Sequence, residues 1–299
     1  MAERAPAIHV RPEFEAHEIR AGSVSDVTRE LSLLERVIDL DPIRKLTILV
    51  AMIAAWELYT RFGGVSEYIL PRFSSTGEAL ARAVWSDGLL TMVWNSMTVL
   101  IGGYVIGLAI ATVLTTLAVA TRFGSDLLGT LTAMLNPLPA IALLPMAMLW
   151  FGLGADAIMF TLLHSVVWPV ALNTHTGFMG VSDTQRMVGR NYGLRGITYV
   201  VKILIPAAFP SILTGMKIGW AYAWRTLIAA ELVFGGSVVD TEGTQSGGLG
   251  WFIFANQMDL QIPYVFAGLF TVILVGVVVE NLVFRNIEQR TVARWGMQS

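Results

Sequence analysis

Long apolar blocks alternate with short polar interruptions along this chain. The first 42 residues are polar, and the first apolar block opens near Leu46. No charge falls between Asp126 and Asp156, and none between Asp156 and Asp183. A helix that crosses a bilayer needs about 20 mostly apolar residues. The pattern therefore predicts about six spans, from about Leu46 to Thr60, Val93 to Ala120, Leu127 to Phe151, Ala155 to Asn173, Ile212 to Gly235 and Pro263 to Phe284. The expected fold class is an all-α integral membrane protein, with a polar tail over 1–42 and a transmembrane domain over 43–299. Within the tail, Val27, Leu31, Leu34 and Ile38 recur at helical spacing and predict an amphipathic helix. That helix would lie on the membrane surface, on a partner, or on the chain's own membrane domain.

Two spans carry finer patterns. In the second, Gly103, Gly107, Ala111 and Thr115 stand four apart. A stripe of small residues lets helix backbones approach closely in lipid, either inside one chain or between two copies. In the third, Pro137, Pro139 and Pro145 each remove a helical donor. Such breaks are tolerated in membranes where neighbours or a cavity satisfy the freed backbone. Pro169 is expected to bend the fourth span.

Composition supports the membrane reading. Of 299 residues, 55% are hydrophobic and 14% charged, against about 25% charged in soluble domains. Cysteine is absent, which removes disulfides and thiolate metal sites. The first 20 residues lack the apolar core of a secretory signal. Basic residues favour the cytoplasmic side of short loops. With the N-terminus inside, fifteen basic residues fall on the cytoplasmic side and only Arg61, Arg72 and Arg82 outside. Both termini and the 183–210 loop are then cytoplasmic.

That loop reads DTQRMVGRNYGLRGITYVVKILIPAAFP. Its pattern predicts a short helix ending near Tyr192, a glycine turn at Gly193 and a second helix through Leu204, stopped by Pro206. Gly193 lies thirteen positions before Pro206. This GLRG…ILIP arrangement resembles the cytoplasmic EAA loop of bacterial ABC importer permeases. Further stretches are similar to the nitrate/sulfonate/taurine type of that family: WELYTRFG, ILPRFSSTGEAL, NPLPAIALLPMAMLWFGLG, WPVALNT, FPSILTGMKIGWAYAWRTLIAAEL, GGLGWFI and the closing Arg294–Trp295. Where the family has Glu-Ala-Ala, this chain has Met187, Val188 and Gly189. Gly193, Ile203 and Pro206 keep the pattern, and Ile205 replaces the usual leucine.

The resemblance implies a type I importer permease in a bacterial inner membrane. Its partners would be a second permease copy, two ATPase subunits and a periplasmic or lipid-anchored binding protein, within membrane lipid and without nucleic acid. ATP and Mg would be bound by the ATPase, with no cofactor in this chain. Met187, Val188, Gly189, Gly193, Ile203 and Pro206 would form the ATPase-coupling surface. The residues agree with a transport subunit that is no enzyme: no GxxxxGK[ST] loop is present, and no catalytic or metal-ligand constellation is recognisable.

Ionisable and aromatic groups in the spans are the pathway candidates. Arg225 and Glu231 are costly in a membrane and should face a bundle interior or water. Arg225 would either pass an anion or serve as a structural partner. Glu231, six residues on, faces another side of the helix. Trp220 and Trp224 share a face that narrows the pathway or packs. His164 is a buried hydrogen-bonding residue or a pathway group. Lys217 is expected to snorkel to water, and Glu57 to pair with a neighbouring span or reach the interface. The solute class expected is a small anion. The rival reading is an ion-gradient-driven transporter or channel, although no second copy of the proline-rich span is present.

Overall fold

The structure is a computed structural model that describes residues 41–234, 247–292 and 294. The tail helix expected around Val27–Ile38, and Trp295, lie outside the described residues. Two units are distinguished, Met1–Ala54 and Ala55–Ser299. The described part of the first belongs to helix α1 (Asp41–Phe62). The rest of the chain forms α2 (Phe73–Trp85), α3 (Leu89–Ala120), α4 (Arg122–Leu135), a 3-10 turn (Ala140–Leu143) and α5 (Leu144–Phe151). These are followed by α6 (Ala155–Met179), α7 (Asp183–Asn191), α8 (Gly196–Tyr199) and α9 (Ile205–Phe234). Last come α10 (Leu249–Met258), α11 (Ile262–Val279) and α12 (Arg285–Arg290). No strand occurs among the described residues.

Among the described residues, four helical stretches are long and apolar enough to span a membrane: Leu89–Ala120, Ala155–Met179, Val200–Val233 and Ile262–Arg290. The pair Arg122–Leu135 and Ala140–Phe151 makes a fifth if counted as one span, bent by 87°. Length and composition thus single out four or five of the roughly six spans expected, and the stretch expected as the first, Leu46 to Thr60, is not among them. In α1, Arg44, Lys45, Glu57 and Arg61 leave only Leu46–Trp56 uncharged, short of the length required. The third span is broken because Pro137 and Pro139 lie in the gap, and Pro139 has an extended backbone (ψ 121°) that leaves the helical path. Pro145 does no such damage, since it sits in the first turn of α5, where a missing donor is free.

Helix α6 is the centre of the fold. Its Ala157, Leu162, Val166 and Ala171 are fully buried, between α3 on one side and α9 on the other. Lipid is as apolar as leucine, so close packing rather than exclusion from water holds such helices together. The small residues provide that closeness. A Cβ on Gly107 would lie 2.8 Å from Val166 Cβ, and one on Gly103 would lie 3.1 Å from Leu162 Cβ. The stripe on α3 is therefore an intramolecular seam, which answers the question the spacing left open. A second seam on α9 went unread in the sequence. A Cβ on Gly215 would come within 2.8 Å of Asn173 Cβ, and one on Gly219 within 3.0 Å of Val170 Cγ2. Tyr104 of α3 also donates to the Met216 carbonyl at 2.8 Å.

The first helix ends in an aromatic cluster. Trp56 stacks at 5.7 Å on Phe73, Phe266 and Phe270 and donates its indole N–H to the Pro71 carbonyl at 3.1 Å. Glu57 accepts from the Ser74 backbone N–H (3.1 Å) and hydroxyl (3.0 Å) at the start of α2, and from Arg61 at 2.9 Å. A carboxylate at a helix N-terminus is stabilised by the unpaired N–H groups there.

Candidate functional site

The polar loop folds as a helical knob. Ser182 caps α7, its hydroxyl accepting from the Gln185 N–H. At the other end the chain reverses through Gly193, whose φ of +70° lies in the left-handed region that glycine reaches without steric cost. The knob is fastened to the spans. Arg186 donates to the Phe178 carbonyl at 2.6 Å and the Val181 carbonyl at 3.0 Å, placing a cation on the C-terminal end of α6, where the helix dipole favours it. Val181, Leu204 and Ala208 form a small buried cluster beneath the knob.

Pro206 does not stop the second helix, which corrects the sequence expectation. Residues Val200–Leu204 form a π turn that runs directly into α9. The wider turn gives the ring room where its missing N–H would otherwise break an α ladder. From Gly196 to Phe234 the chain is thus one uninterrupted helical rod. Gly189, at the third position of the Met187-Val188-Gly189 run, faces inward. A Cβ there would lie 2.7 Å from the Tyr199 ring and 2.9 Å from Ile203 Cγ1. Met187 (56% exposed) and Val188 (44%) face outward, with Arg190, Tyr192 and Arg195 exposed nearby along the chain.

A cavity of about 410 Å³ opens where α4 breaks, lined by Pro137–Pro139 of the gap, by His164 and Trp168 of α6 and by Tyr222 and Arg225 of α9. Proline placement and cavity coincide because a broken helix leaves space that a continuous one would fill. Arg225 is exposed and makes no hydrogen bond or ion pair among the described residues. His164 Nε2 and Trp168 Nε1 are buried atoms without a partner. Ser165 and Thr226 bridge α6 to α9 at the cavity wall, 2.9 Å apart. Of the five pathway candidates, the structure brings together Arg225 and His164 here.

Trp220, Trp224 and Glu231 do not line this cavity. Trp220 sits edge-on to Tyr104 at 5.2 Å and to Phe284 at 6.2 Å, and Trp224 is buried in the core. Glu231, 4% exposed, is clamped. The Ser96 hydroxyl lies 2.7 Å from one carboxylate oxygen, and the Gly250 N–H donates to the other at 2.7 Å. Ser96 in turn accepts from the Leu249 N–H at 2.8 Å. The carboxylate thus occupies the N-terminal end of α10, where orphan N–H groups need acceptors. This explains the second and third glycines of GGLGWFI, Gly248 and Gly250. A Cβ on Gly248 would collide with the Glu231 carboxylate, and one on Gly250 would lie 2.6 Å from Glu231 Cβ. Lys217 does not snorkel freely: it pairs with Glu288 at 2.7 Å and lies 3.8 Å from Glu280.

Sequence reasoning missed Ser96, Trp168 and Arg186. Ser96 and Trp168 carry no local signal, since a lone hydroxyl or indole in an apolar span is ordinary. Arg186 follows a helix end and a serine cap by a few residues, a spacing that suits a cation reaching back to free carbonyls.

Comparison with known proteins bears on this geometry. Residues 103–292 match the family model described as binding-protein-dependent transport system inner membrane component. The chain is 27% identical over 250 residues to a putative aliphatic sulfonates transport permease protein of Escherichia coli, covering 82% of this chain and 89% of the relative. It is 28% identical over 196 residues to a nitrate import permease protein of Synechocystis, covering 66% and 68%. A taurine transport system permease protein of Escherichia coli is 27% identical over 155 residues, covering 52% of each.

Proposed function

The chain belongs to the family of binding-protein-dependent transport system inner membrane components, and from that premise we propose that it is the permease subunit of an ATP-driven importer for a small anionic solute. The observation that carries the proposal is the knob fused to a span. Residues 183–204 stand on α7 and the start of a rod that continues, unbroken, to Arg225 at the cavity. A push on such a rod moves the cavity wall, because a helix transmits displacement where a flexible loop would absorb it. The apolar outer face of Met187 and Val188, flanked by Arg190 and Arg195, suits burial against a partner. That partner would be the ATPase dimer, which binds ATP and Mg and carries out hydrolysis. A second copy of this chain would complete the pathway, and a binding protein would deliver solute from outside. The sulfonate, nitrate and taurine permeases among its relatives and Arg225, which pairs with none of the described residues, support an anion.

The test is co-expression with a candidate ATPase and a candidate binding protein from the same genome. The ATPase should co-purify with the permease in nanodiscs, and binding protein loaded with solute should raise ATP hydrolysis. A permease that purifies without any ATPase and moves solute down an ion gradient would establish the secondary-transporter reading instead.

A further inference from the structure

A second cavity, of about 710 Å³, lies at the knob end of the spans. Its walls are the last turns of α3 from Leu108 to Ala120, the end of α6 at Thr174 and Phe178, and the helical rod from Gly196 to Met216. No charged residue lines it. Thr112, Thr115 and Thr116 donate to the carbonyls of Leu108, Ala111 and Thr112 at 2.8, 2.8 and 2.7 Å. These hydroxyl protons are used within α3 and none is left over for an occupant. A water held in such a space needs two to four polar partners, and the wall offers few. The cavity is also long. Leu108 and Ala120 are twelve residues apart, which is about 18 Å of helix. One leaflet of a bilayer's hydrocarbon core is about 15 Å thick. The wall therefore matches a leaflet in length as well as in polarity.

A basic cavity adjoins the knob end. It has a volume of about 420 Å³ and is lined by Arg190, Leu194, Arg195, Gly196 and Tyr199. Gly196 and Tyr199 stand in the walls of both cavities. Arg190 and Arg195 are exposed, and no acidic residue among the described ones lines either space. Arg122 opens α4 two residues beyond Ala120, so a third cation lies close along the chain to that end. Hydrocarbon wall first, cations second, is the order of a phospholipid read outward from the bilayer centre.

We propose that the two cavities together bind one anionic phospholipid of the cytoplasmic leaflet, with an acyl chain between α3 and the rod and the headgroup phosphate at Arg190 and Arg195. The inference rests on the importer reading for its cytoplasmic orientation and goes beyond it by assigning a lipid partner. Basic pockets at the cytoplasmic ends of spans suit anionic headgroups, and the arginine fork matches phosphate oxygens. Arg186 takes no part, because the carbonyls of Phe178 and Val181 already occupy it. An acyl chain seated here touches both α3 and the rod just where the rod receives the knob. Its binding should therefore stabilise the folded permease, as any ligand of the native state does.

The experiment uses the permease–ATPase complex in phosphatidylethanolamine nanodiscs doped with phosphatidylglycerol that carries a photoreactive diazirine in its acyl chain. Peptides covering 108–120 and 199–216 should take the label, and a phosphatidylethanolamine probe with the same chain should label them severalfold less. Arg195→Gln should cut this excess about fivefold, the worth of one cation at an anionic lipid surface, and Arg190→Gln should act in the same direction. Thr116→Trp fills the apolar cavity from an exposed position on its wall and should abolish the excess. Val113→Trp, exposed on the same helix but outside the wall, should leave it unchanged. Phosphatidylglycerol should raise the melting temperature of the wild type and not of Thr116→Trp. Labelling is scored per permease, so an arginine variant that loses the ATPase still reports on the lipid. The proposal is overturned if the two probes label alike, if both arginine variants keep the full excess, or if Thr116→Trp folds and keeps it. It is equally overturned if the peptides stay unlabelled and Thr112→Cys cross-links between two permeases, since a second copy would then cover the cavity. Each of these results leaves the importer reading intact. Absence of the ATPase from wild-type preparations would instead sink the importer reading, while the paired probes on the permease would still decide the lipid site.

Discussion

At the scale of single residues, the membrane interior gives polar atoms unusual leverage. Glu231 looks in the sequence like a pathway group, yet its oxygens are occupied by Ser96 and the Gly250 N–H. Removing it orphans buried donors, each worth about 1–3 kcal/mol. Glu231→Ala should therefore lower thermal stability of the purified complex sharply, read by fluorescence-detected melting. Glu231→Gln, which still offers an oxygen to Gly250, should cost less. Equal and small shifts for the two would mean that the clamp contributes nothing to folding. Arg225 differs only in surroundings. No such partner meets it among the described residues, and it is exposed rather than buried.

Among the elements, the knob and the α9 rod form one mechanical piece. Its turn depends on Gly193, where φ is +70° and a Cβ would meet no atom within 4 Å. A substitution is thus strained by backbone alone. β-Branched residues in left-handed conformation are the worst case, and asparagine is among the best tolerated. Gly193→Val should reduce ATPase co-purification severalfold and transport with it, whereas Gly193→Asn should retain most of both. Gly107→Leu, on the α3 seam, should instead disturb insertion and assembly, because Val166 leaves no room. If Gly193→Val binds ATPase and transports normally, the knob is not the coupling surface. Arg186→Ala tests the fastening to α6: the ATPase should still dock, but solute-stimulated hydrolysis should fall, since the knob would no longer pull on the Phe178 end.

For the whole molecule, the distribution of lysine and arginine predicts the orientation. The three arginines assigned outside each have a glutamate beside them. Arg61 lies 2.9 Å from Glu57, Arg72 3.2 Å from Glu67 without hydrogen-bond geometry, and Arg82 3.4 Å from Glu78. The chain has no cysteine, so single cysteines report cleanly. Asn191→Cys should be shielded from a membrane-impermeant maleimide in intact cells, and Ser86→Cys should be labelled. Labelling at position 191 from outside would overturn both orientation and ATPase docking.

The apolar blocks, the polar knob and its glycine turn were legible in the sequence because each depends on local properties. Hydropathy needs only neighbours, and a left-handed turn needs only its glycine. The Gly103–Thr115 stripe was visible as a pattern, but only the tertiary structure showed that Val166 and Leu162 fill it. The same holds for the span count: the charges that shorten α1 were readable, whereas the 87° bend at Pro137–Pro139 depends on where the two halves can pack. Pro206 misled because a proline's effect depends on the turn around it, and a π turn accommodates what an α turn rejects. Glu231 and Arg225 were equivalent in sequence, two ionisable groups on one apolar helix. Ser96, 135 positions away in the chain, and the Gly250 N–H satisfy the first, and none among the described residues satisfies the second. Long-range pairing leaves no periodicity to read, so only the fold could separate a structural carboxylate from a free cation.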